Sequence, residues 1–531
     1  MEFNSRRSQV LARRGMVATS QPLAAMAGLR MLLQGGNAVD GAVAAAAALN
    51  VVEPMATGVG GDAFALVWMA KDKKAKALNA GGRAPAAASI NELRNQGFSA
   101  IPSDSPWAVC VPGTVDGWHT ILRSCGTMPL SEVLKPAIEY AEEGYPVSEV
   151  IANQWQANLS KLSQHPSGQE FLLNGNPPRE GDVVRLPGLA GTLRSIAEGG
   201  PDAFYRGPMA QIIADFVGQE GGWLSAQDLA SHASTWEEPI STDYRGLTCW
   251  ECPPNGQGLI ALTALNIAEG FDFRSMGFQS ADTYHHLIES VRLAMADGLH
   301  YIADPATTHV PTAQLLSKTY AEERRALIRK EQALPNVEYG NVQSGHDTVY
   351  VTCIDSEGNA CSFINSILSE FGTGLVVPGT GIVLHNRAAL FSLDIDHPNA
   401  LQPGKRPFHT IIPAIATRGG ELCLSFGVMG RFQQAQGHLQ VLVNMVDFDM
   451  NPQAALDALR FNVREDGIIG LEEGVSPEVV GELERRSHSI SVLSGYPRTV
   501  FGGGQVIERD LETGVLSGGS DPRKDGCAVG W

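Results

Sequence analysis

The chain has 531 residues and carries 57 acidic against 39 basic side chains, a net charge of −18. No Lys/Arg stripe is available to neutralise phosphates, which excludes a nucleic-acid partner, and the surplus of carboxylates favours a soluble anionic surface. With 44% hydrophobic and 18% charged residues the chain buries ample core and is globular, not disordered.

In chain order, Met1 to Arg14 carries Arg6, Arg7, Arg13 and Arg14 with no apolar run behind them. It does not read as a secretory signal, so a cytoplasmic location is expected. Ser20 and Pro22 open a helix that Gly35-Gly36 closes, and Asn37 caps a second helix through Ala48. The Ala-rich stretch Ala38 to Val52 is interrupted by Asp40 and too short to span a bilayer, so no membrane contact is expected. Gly58-Val-Gly-Gly lacks a following Lys-Ser/Thr and is not a phosphate loop. Phe64 to Met69 is a strand, Met128 to Glu143 a single helix, and 154–174 and 208–217 mixed helical surface. Cys249-Trp-Glu-Cys252 is one CxxC with no second pair, which reads as a strand, not as a zinc site. Asp282 to Asp304 is a long helix whose adjacent His285 and His286 cannot face one ion, and no metal is expected.

The span 331–347 is polar and irregular, with Pro335, Gly340 and Gly345, the composition of a solvent-reachable, cleavable linker. It ends in Asp347-Thr348. Val349, Val351 and Cys353 then alternate with Tyr350, Thr352 and Ile354 in a β-branched strand. Asp355 to Asn359 is a turn, and Ala360 to Ile367 a returning strand. Cys353 and Cys361 flank the turn as small core residues. Strands run on to about Ile415 and recur at Leu422–Phe426 and Val500–Ile507, with helices over Gly437–Val446 and Pro452–Leu459.

Thr348 has a specific chemical potential. If the bond between Asp347 and Thr348 is cut, the threonine becomes a chain terminus with its own α-amine beside its hydroxyl. That amine has a pKa of roughly 7.7–8.0 and serves as a base near neutrality, so one residue is nucleophile and base together.

The passage around Thr348 resembles the small-subunit start of the γ-glutamyltransferase (glutathione hydrolase) family. The resemblance extends over nearly the whole chain, through Gly15–Ala25, Gly35–Asp40, Glu53-Pro54, Gly58–Asp62, Val111–Gly117, Gly126–Leu130, Pro253–Gly258, Gly404–Pro407 and Ser520–Arg523, in family order. It implies the α+β, four-layer αββα sandwich of N-terminal-nucleophile hydrolases. It implies a precursor cut into a large part, residues 1–347, and a small part, residues 348–531, that stay together as one interwoven domain. A homodimer or a heterotetramer of such subunits is compatible with it. It implies a small-molecule amide substrate and no cofactor.

The same resemblance assigns roles. Ser366 stands where the family has a threonine bonded to the nucleophile. Gly430 matches the first glycine of the oxyanion loop and Arg431 replaces the second. Arg83 sits near the family's carboxylate-binding arginine, two residues later against the Ala-Pro. Where the family holds a substrate α-ammonium with polar and acidic groups, this chain has Leu368, Arg387 and Leu390. His409 and Thr410 stand where two serines assist the substrate carboxylate. Two apolar walls and a like charge make a poor ammonium site. The expected acyl group therefore lacks an α-amine and carries a carboxylate for Arg387 and Arg83, as in the oxamate amidohydrolases and cephalosporin acylases of the family. A genuine glutathione hydrolase is the alternative, and an uncleaved, non-catalytic binding protein the further one.

Overall fold

The computed structural model describes residues 7–335, 337 and 348–531. Asp347, and with it one side of the expected cleavage site, lies outside the described residues. Every residue of the strand Val349–Asp355 is buried, so both its faces are covered. Side chains alternate across a strand, and here parity sorts them into two cores. Val349, Val351 and Cys353 pack with the helices Pro22–Leu33 and Ala38–Val52. Tyr350 and Ile354 pack with Ile411 and with Ile415, Ile507 and Leu516, the last three of which arrive from a second sheet.

Two seven-stranded sheets result. The first runs Cys527–Gly530, Gly15–Thr19, Val349–Asp355, Ala360–Ser366, Asp62–Met69, Lys74–Ala80, Thr235–Glu237. The second runs Val10–Ala12, Leu516–Ser520, Gly503–Arg509, Glu421–Met429, Ala414–Arg418, Leu247–Glu251, Ile240–Tyr244. All pairings within them are antiparallel. The outer face of the second sheet is covered by the helices Gly258–Ala268, Ala281–Tyr301 and Gln433–Val446. The order is helix, sheet, sheet, helix, a four-layer αββα sandwich. In the first sheet, strands from before and after residue 348 interleave. The Val349–Asp355 strand pairs with Gly15–Thr19 on one side, and Ala360–Ser366 pairs with Asp62–Met69.

Local chemistry explains most elements. Asn37 caps Ala38–Val52 through a capping box with Asp40. The Asp355 carboxylate accepts from the Glu357 and Asn359 N–H groups and from Ala38 N. It closes the turn and ties it to that helix. Three expectations need correction. The helix foreseen over Met128 to Glu143 is two, Leu130–Val133 and Lys135–Glu143, because Pro136 has no N–H to give to Glu132 O and interrupts the ladder around Leu134. The 154–174 stretch is not simply surface, since Gln154 and Trp155 are buried and the Trp155 indole donates to Phe171 O at 2.8 Å. The strand foreseen from Val500 begins at Gly503, after a 3₁₀ turn over Tyr496–Phe501 that Gly502 ends at φ 79°.

A buried ion network anchors the C-terminal motif Ser520–Arg523 to the second sheet. The Glu472 carboxylate accepts from Arg460 N at 2.7 Å, Arg498 Nε at 3.0 Å and Arg523 Nε at 2.8 Å. Asp521 pairs with Arg460 Nη2 at 2.7 Å and accepts from Gly504 N at 2.8 Å. Burial alone would raise the Glu472 pKa, but Arg523, the Arg460 N–H and Arg498 outweigh it and hold it below the usual carboxylate range. Stability gained from such a group is present above the unfolded pKa of about 4.3 and is lost as pH falls through the lower folded value. Glu472→Gln leaves three buried arginines with one carboxylate fewer. We expect it to lower unfolding free energy by about 3–5 kcal/mol at pH 7, and the deficit to shrink in acid. Denaturant unfolding at pH 7 and pH 3 checks both.

Candidate active site

Strand register brings three polar residues side by side. Val349 lies opposite Asn365, which places Thr348 beside Ser366, and Ser366 lies opposite Asp62. Thr348, Ser366 and Asp62 share parity with Tyr350, Ile364 and Phe64, whose side chains enter the core between the sheets. All three therefore face the second sheet, at one end of the first. Thr348 Oγ1 is 3.2 Å from Ser366 Oγ, and both side chains are fully buried. Ser366 Oγ also accepts from Leu368 N at 2.9 Å. A hydroxyl that accepts from a backbone N–H keeps its own proton to donate, and Thr348 Oγ1 is within reach of it.

The second sheet supplies the opposite wall. Thr352 Oγ1 donates to Ser425 Oγ at 2.6 Å. Gly427 faces Tyr350 so closely that a Cβ there would lie 2.7 Å from the ring. Continuing in steps of two, Thr348 falls opposite Met429, where the strand Glu421–Met429 ends. Gly430 follows with φ 125° and Arg431 with φ 51°, and the helix Gln433–Val446 begins directly after. The expected oxyanion loop is thus a strand-to-helix turn at a helix N-terminus, where backbone N–H groups favour negative charge. Gln257 Nε2 donates to Arg431 O at 2.6 Å and to Thr410 O at 2.5 Å, so one buried amide locks this turn to the segment carrying His409 and Thr410. Burial pushes the Arg431 guanidinium pKa down to about 10, still cationic at neutrality, with Glu465 opposing the shift.

Asp62 is the centre of the polar network. Arg387 grips it bidentately, Nε to Oδ2 and Nη2 to Oδ1, both at 2.8 Å. Arg387 Nη1 donates to Thr410 Oγ1 at 2.9 Å. His409 Nε2 donates to Asp62 Oδ2 at 2.9 Å, while its Nδ1 accepts from Ile411 N. The two contacts define a neutral imidazole with the proton on Nε2. Its ring stacks on Phe64 with centroids 4.4 Å apart. His385 follows the same pattern, donating from Nε2 to Cys110 O at 2.9 Å and accepting at Nδ1 from Arg387 N. Burial pushes the His409 pKa down to about 4 and lowers that of His385. Burial would raise the Asp62 pKa, but Arg387 and His409 hold it far below the usual carboxylate range. At neutral pH the set is one carboxylate, one guanidinium and two neutral imidazoles.

Two glycines make this placement possible. A Cβ on Gly60 would sit 2.1 Å from Val383 O, and one on Gly61 2.3 Å from Ser366 O. Only glycine lets the chain enter the strand Asp62–Met69 pressed against both neighbours.

The other expected residues sit around this centre. Arg387 and Leu390 occupy one 3₁₀ turn, Arg387–Leu390. Leu368, at φ 74°, and Leu390 belong to one apolar cluster with Phe408 and Phe432, and the two phenylalanine rings lie 5.7 Å apart. Arg83 stands apart from the Asp62 network. Its side chain is 38% exposed and meets Asp304 at 3.3 Å and Gly404 O at 3.1 Å. Sequence reasoning gave Arg387, His409 and Thr410 to the substrate; in the fold Arg387 and His409 also share Asp62, and Thr410 accepts from Arg387. It missed Asp62, Gln257 and His385 as site residues. The signal for Asp62 was present, as an acidic residue between a glycine turn and an otherwise apolar strand. Among the described residues no cluster of His, Cys, Asp or Glu could hold a metal ion.

The arrangement offers a hydroxyl pair, a strand-to-helix turn with N–H groups, and a buried arginine–carboxylate couple beside an apolar wall. The gamma-glutamyltranspeptidase family model matches residues 24–531. The chain is 36% identical to the glutathione hydrolase-like YwrD proenzyme of Bacillus subtilis, over 98% of this chain and 99% of that protein. It is 33% identical to the oxamate amidohydrolase proenzyme of Klebsiella pneumoniae, over 97% and 98%. Its fold matches the crystal structure of cephalosporin acylase from Bacillus halodurans with a TM-score of 0.94 at 46% identity, covering 100% of this chain and 98% of that one. A match over nearly the full length in sequence and in fold leaves one conclusion: the chain belongs to the gamma-glutamyltranspeptidase family of N-terminal-nucleophile hydrolases.

Proposed function

We propose that the chain is a self-processing amidohydrolase whose nucleophile is Thr348 and whose preferred acyl group bears a carboxylate but no α-amine. Cleavage before Thr348 frees its amine. The hydroxyl Oγ1 then attacks the substrate carbonyl carbon and passes its proton to that amine, with Ser366 Oγ orienting it. The N–H groups of Gly430 and Arg431 receive the developing oxyanion, where one such donor is worth about 2.7–4 kcal/mol. The tetrahedral intermediate collapses, the C–N bond breaks, and the leaving amine takes the proton back from the α-ammonium. Water attacks the resulting ester with the same amine as base and releases the acid.

The nucleophile assignment rests on the 3.2 Å contact between Thr348 Oγ1 and Ser366 Oγ, at the strand end facing the Gly430–Arg431 turn. The acyl preference rests on the wall beside it. Leu368 and Leu390 are buried and apolar, and Arg387 is the cation between them and Thr410. An α-ammonium there would lose its hydration without an unshared anion to replace it. Arg83, more open than Arg387, is the second group available to an acyl carboxylate. The proenzyme names of the relatives support the precursor reading, and the oxamate and cephalosporin names support the acyl reading. A glutathione hydrolase is the second reading, favoured by the 36% identity to a glutathione hydrolase-like protein. Retention of Thr348, Ser366 and Gly430 weighs against a non-catalytic binding protein.

Thr348→Ala is expected to stay a single full-length band on a denaturing gel and to show no turnover. Thr348→Ser is expected to yield the pieces 1–347 and 348–531. Turnover by an uncut Thr348→Ala protein would remove the nucleophile from this scheme. For the matured enzyme, kcat/KM should fall about tenfold per pH unit below the α-amine pKa of roughly 7.7–8.0, because only the unprotonated amine accepts the proton. A profile flat down to pH 5 would rule that base out. Comparison of kcat/KM for glutaryl-anilide, oxamate and γ-glutamyl-anilide should place the γ-glutamyl substrate last, and the opposite order would favour the glutathione hydrolase.

A further inference from the structure

We infer that Asp62 determines acyl-group selectivity: it aims the Arg387 donors at the acyl group and, being covered by Arg387, withholds its own carboxylate from an α-ammonium. This rests on the acyl-pocket reading above and names a residue outside it.

Consider where each partner is mounted. Asp62 is the first residue of the strand Asp62–Met69, directly opposite Ser366. Its backbone is fixed by the two glycines pressed on Val383 O and Ser366 O. Arg387, by contrast, sits on a short 3₁₀ turn at the end of the loop-rich stretch 367–386, and His409 on an irregular segment before the strand Ala414–Arg418. Long side chains on loops are poorly placed unless something rigid holds them. Asp62 is that rigid point. One carboxylate fixes the Arg387 plane by two parallel bonds and the His409 ring by a third. It thereby sets both relative to the strand pair that carries Ser366 and ends beside Thr348.

The donor arithmetic gives Arg387 something left to do. A guanidinium has five N–H groups. Asp62 takes one from Nε and one from Nη2, and Thr410 takes one from Nη1. One N–H remains on each terminal nitrogen, and such charged donors suit a carboxylate or carbonyl oxygen. The charge arithmetic gives Asp62 its second role. With Arg387 on it the couple is neutral, and the adjoining imidazoles are neutral too. An ammonium finds no unshared anion. Take the guanidinium away, and a buried carboxylate is left with only the neutral His409 N–H on it.

The test uses the matured enzyme, three anilides (glutaryl, γ-glutamyl and acetyl) and the variants Asp62→Asn, Arg387→Gln and the double variant. Acetyl-anilide, which carries no distal group, is the internal reference. Asp62→Asn should lower the glutaryl-to-acetyl ratio of kcat/KM about tenfold or more, through KM rather than kcat, as expected for lost orientation. Arg387→Gln should lower the same ratio and raise the γ-glutamyl-to-acetyl ratio. Adding Asp62→Asn to Arg387→Gln should leave the glutaryl ratio where it is and abolish the γ-glutamyl gain, because two residues acting as a unit are not additive.

An Asp62→Asn variant that slows all three anilides by one factor would overturn the proposal. So would an Asp62→Asn effect of the same size in both backgrounds, or a γ-glutamyl gain that survives in the double variant. If Asp62→Asn alone does not fold, the double variant, which leaves neither charge buried alone, still decides the matter against Arg387→Gln. If Arg387→Gln leaves every ratio as in the wild type, the acyl-pocket reading itself has failed, a result distinct from failure of Asp62 alone.

Discussion

The antiparallel register between Val349–Asp355 and its neighbours underlies everything else in this molecule. It is a backbone constraint, set by ladder hydrogen bonds and by the period of two along each strand. A shift of one residue would turn Val349, Val351 and Cys353 toward the second sheet and Tyr350 and Ile354 toward the helices, exchanging the contents of two filled cores. It would also turn Thr348 away from Ser366 and from the Gly430–Arg431 turn. The packing that stabilises the sandwich is thus the packing that aims Thr348. Because the flanking strands come from both sides of residue 348, neither part of the chain could build this sheet alone.

Electrostatics follows from that burial. The sheet ends carry charges into places where water does not follow, and each is met by an opposite charge with directed bonds. Asp62 and Arg387 make one such set beside Ser366 and Thr348, and Glu472, Asp521, Arg460, Arg498 and Arg523 make another behind the second sheet. Such groups contribute little net stability when complete and cost much when broken, so they specify one arrangement rather than merely adding to its depth. At the site, Asp62 and Arg387 form a couple with no net charge, near the apolar cluster that includes Leu368, Leu390, Phe408 and Phe432.

Much of the order was legible in advance for local reasons. Pro22, Asn37 and the Gly35-Gly36 pair mark two helices, and the observed spans Pro22–Leu33 and Ala38–Val52 begin where those signals stand. The alternation after Thr348 marked its strand, and the turn chemistry of Asp355 to Asn359 marked the hairpin. Where local signals conflicted, reading failed. Pro136 broke a helix that Pro129 and Gly144 had framed, and Trp155 is buried against Phe371, more than two hundred residues on, which no local window contains.

The sequence by itself determined the family, through short motifs in family order, and the strand that carries Thr348, through its alternation; Ser366 and the loop at Gly430 and Arg431 followed from the family resemblance. Only the tertiary structure decided what Arg387, His409 and Thr410 do. Arg387 and His409 share Asp62, more than three hundred residues away along the chain, and Thr410 joins them through Arg387; an ion pair between distant residues leaves no period, cap or turn for a reader of the sequence to find.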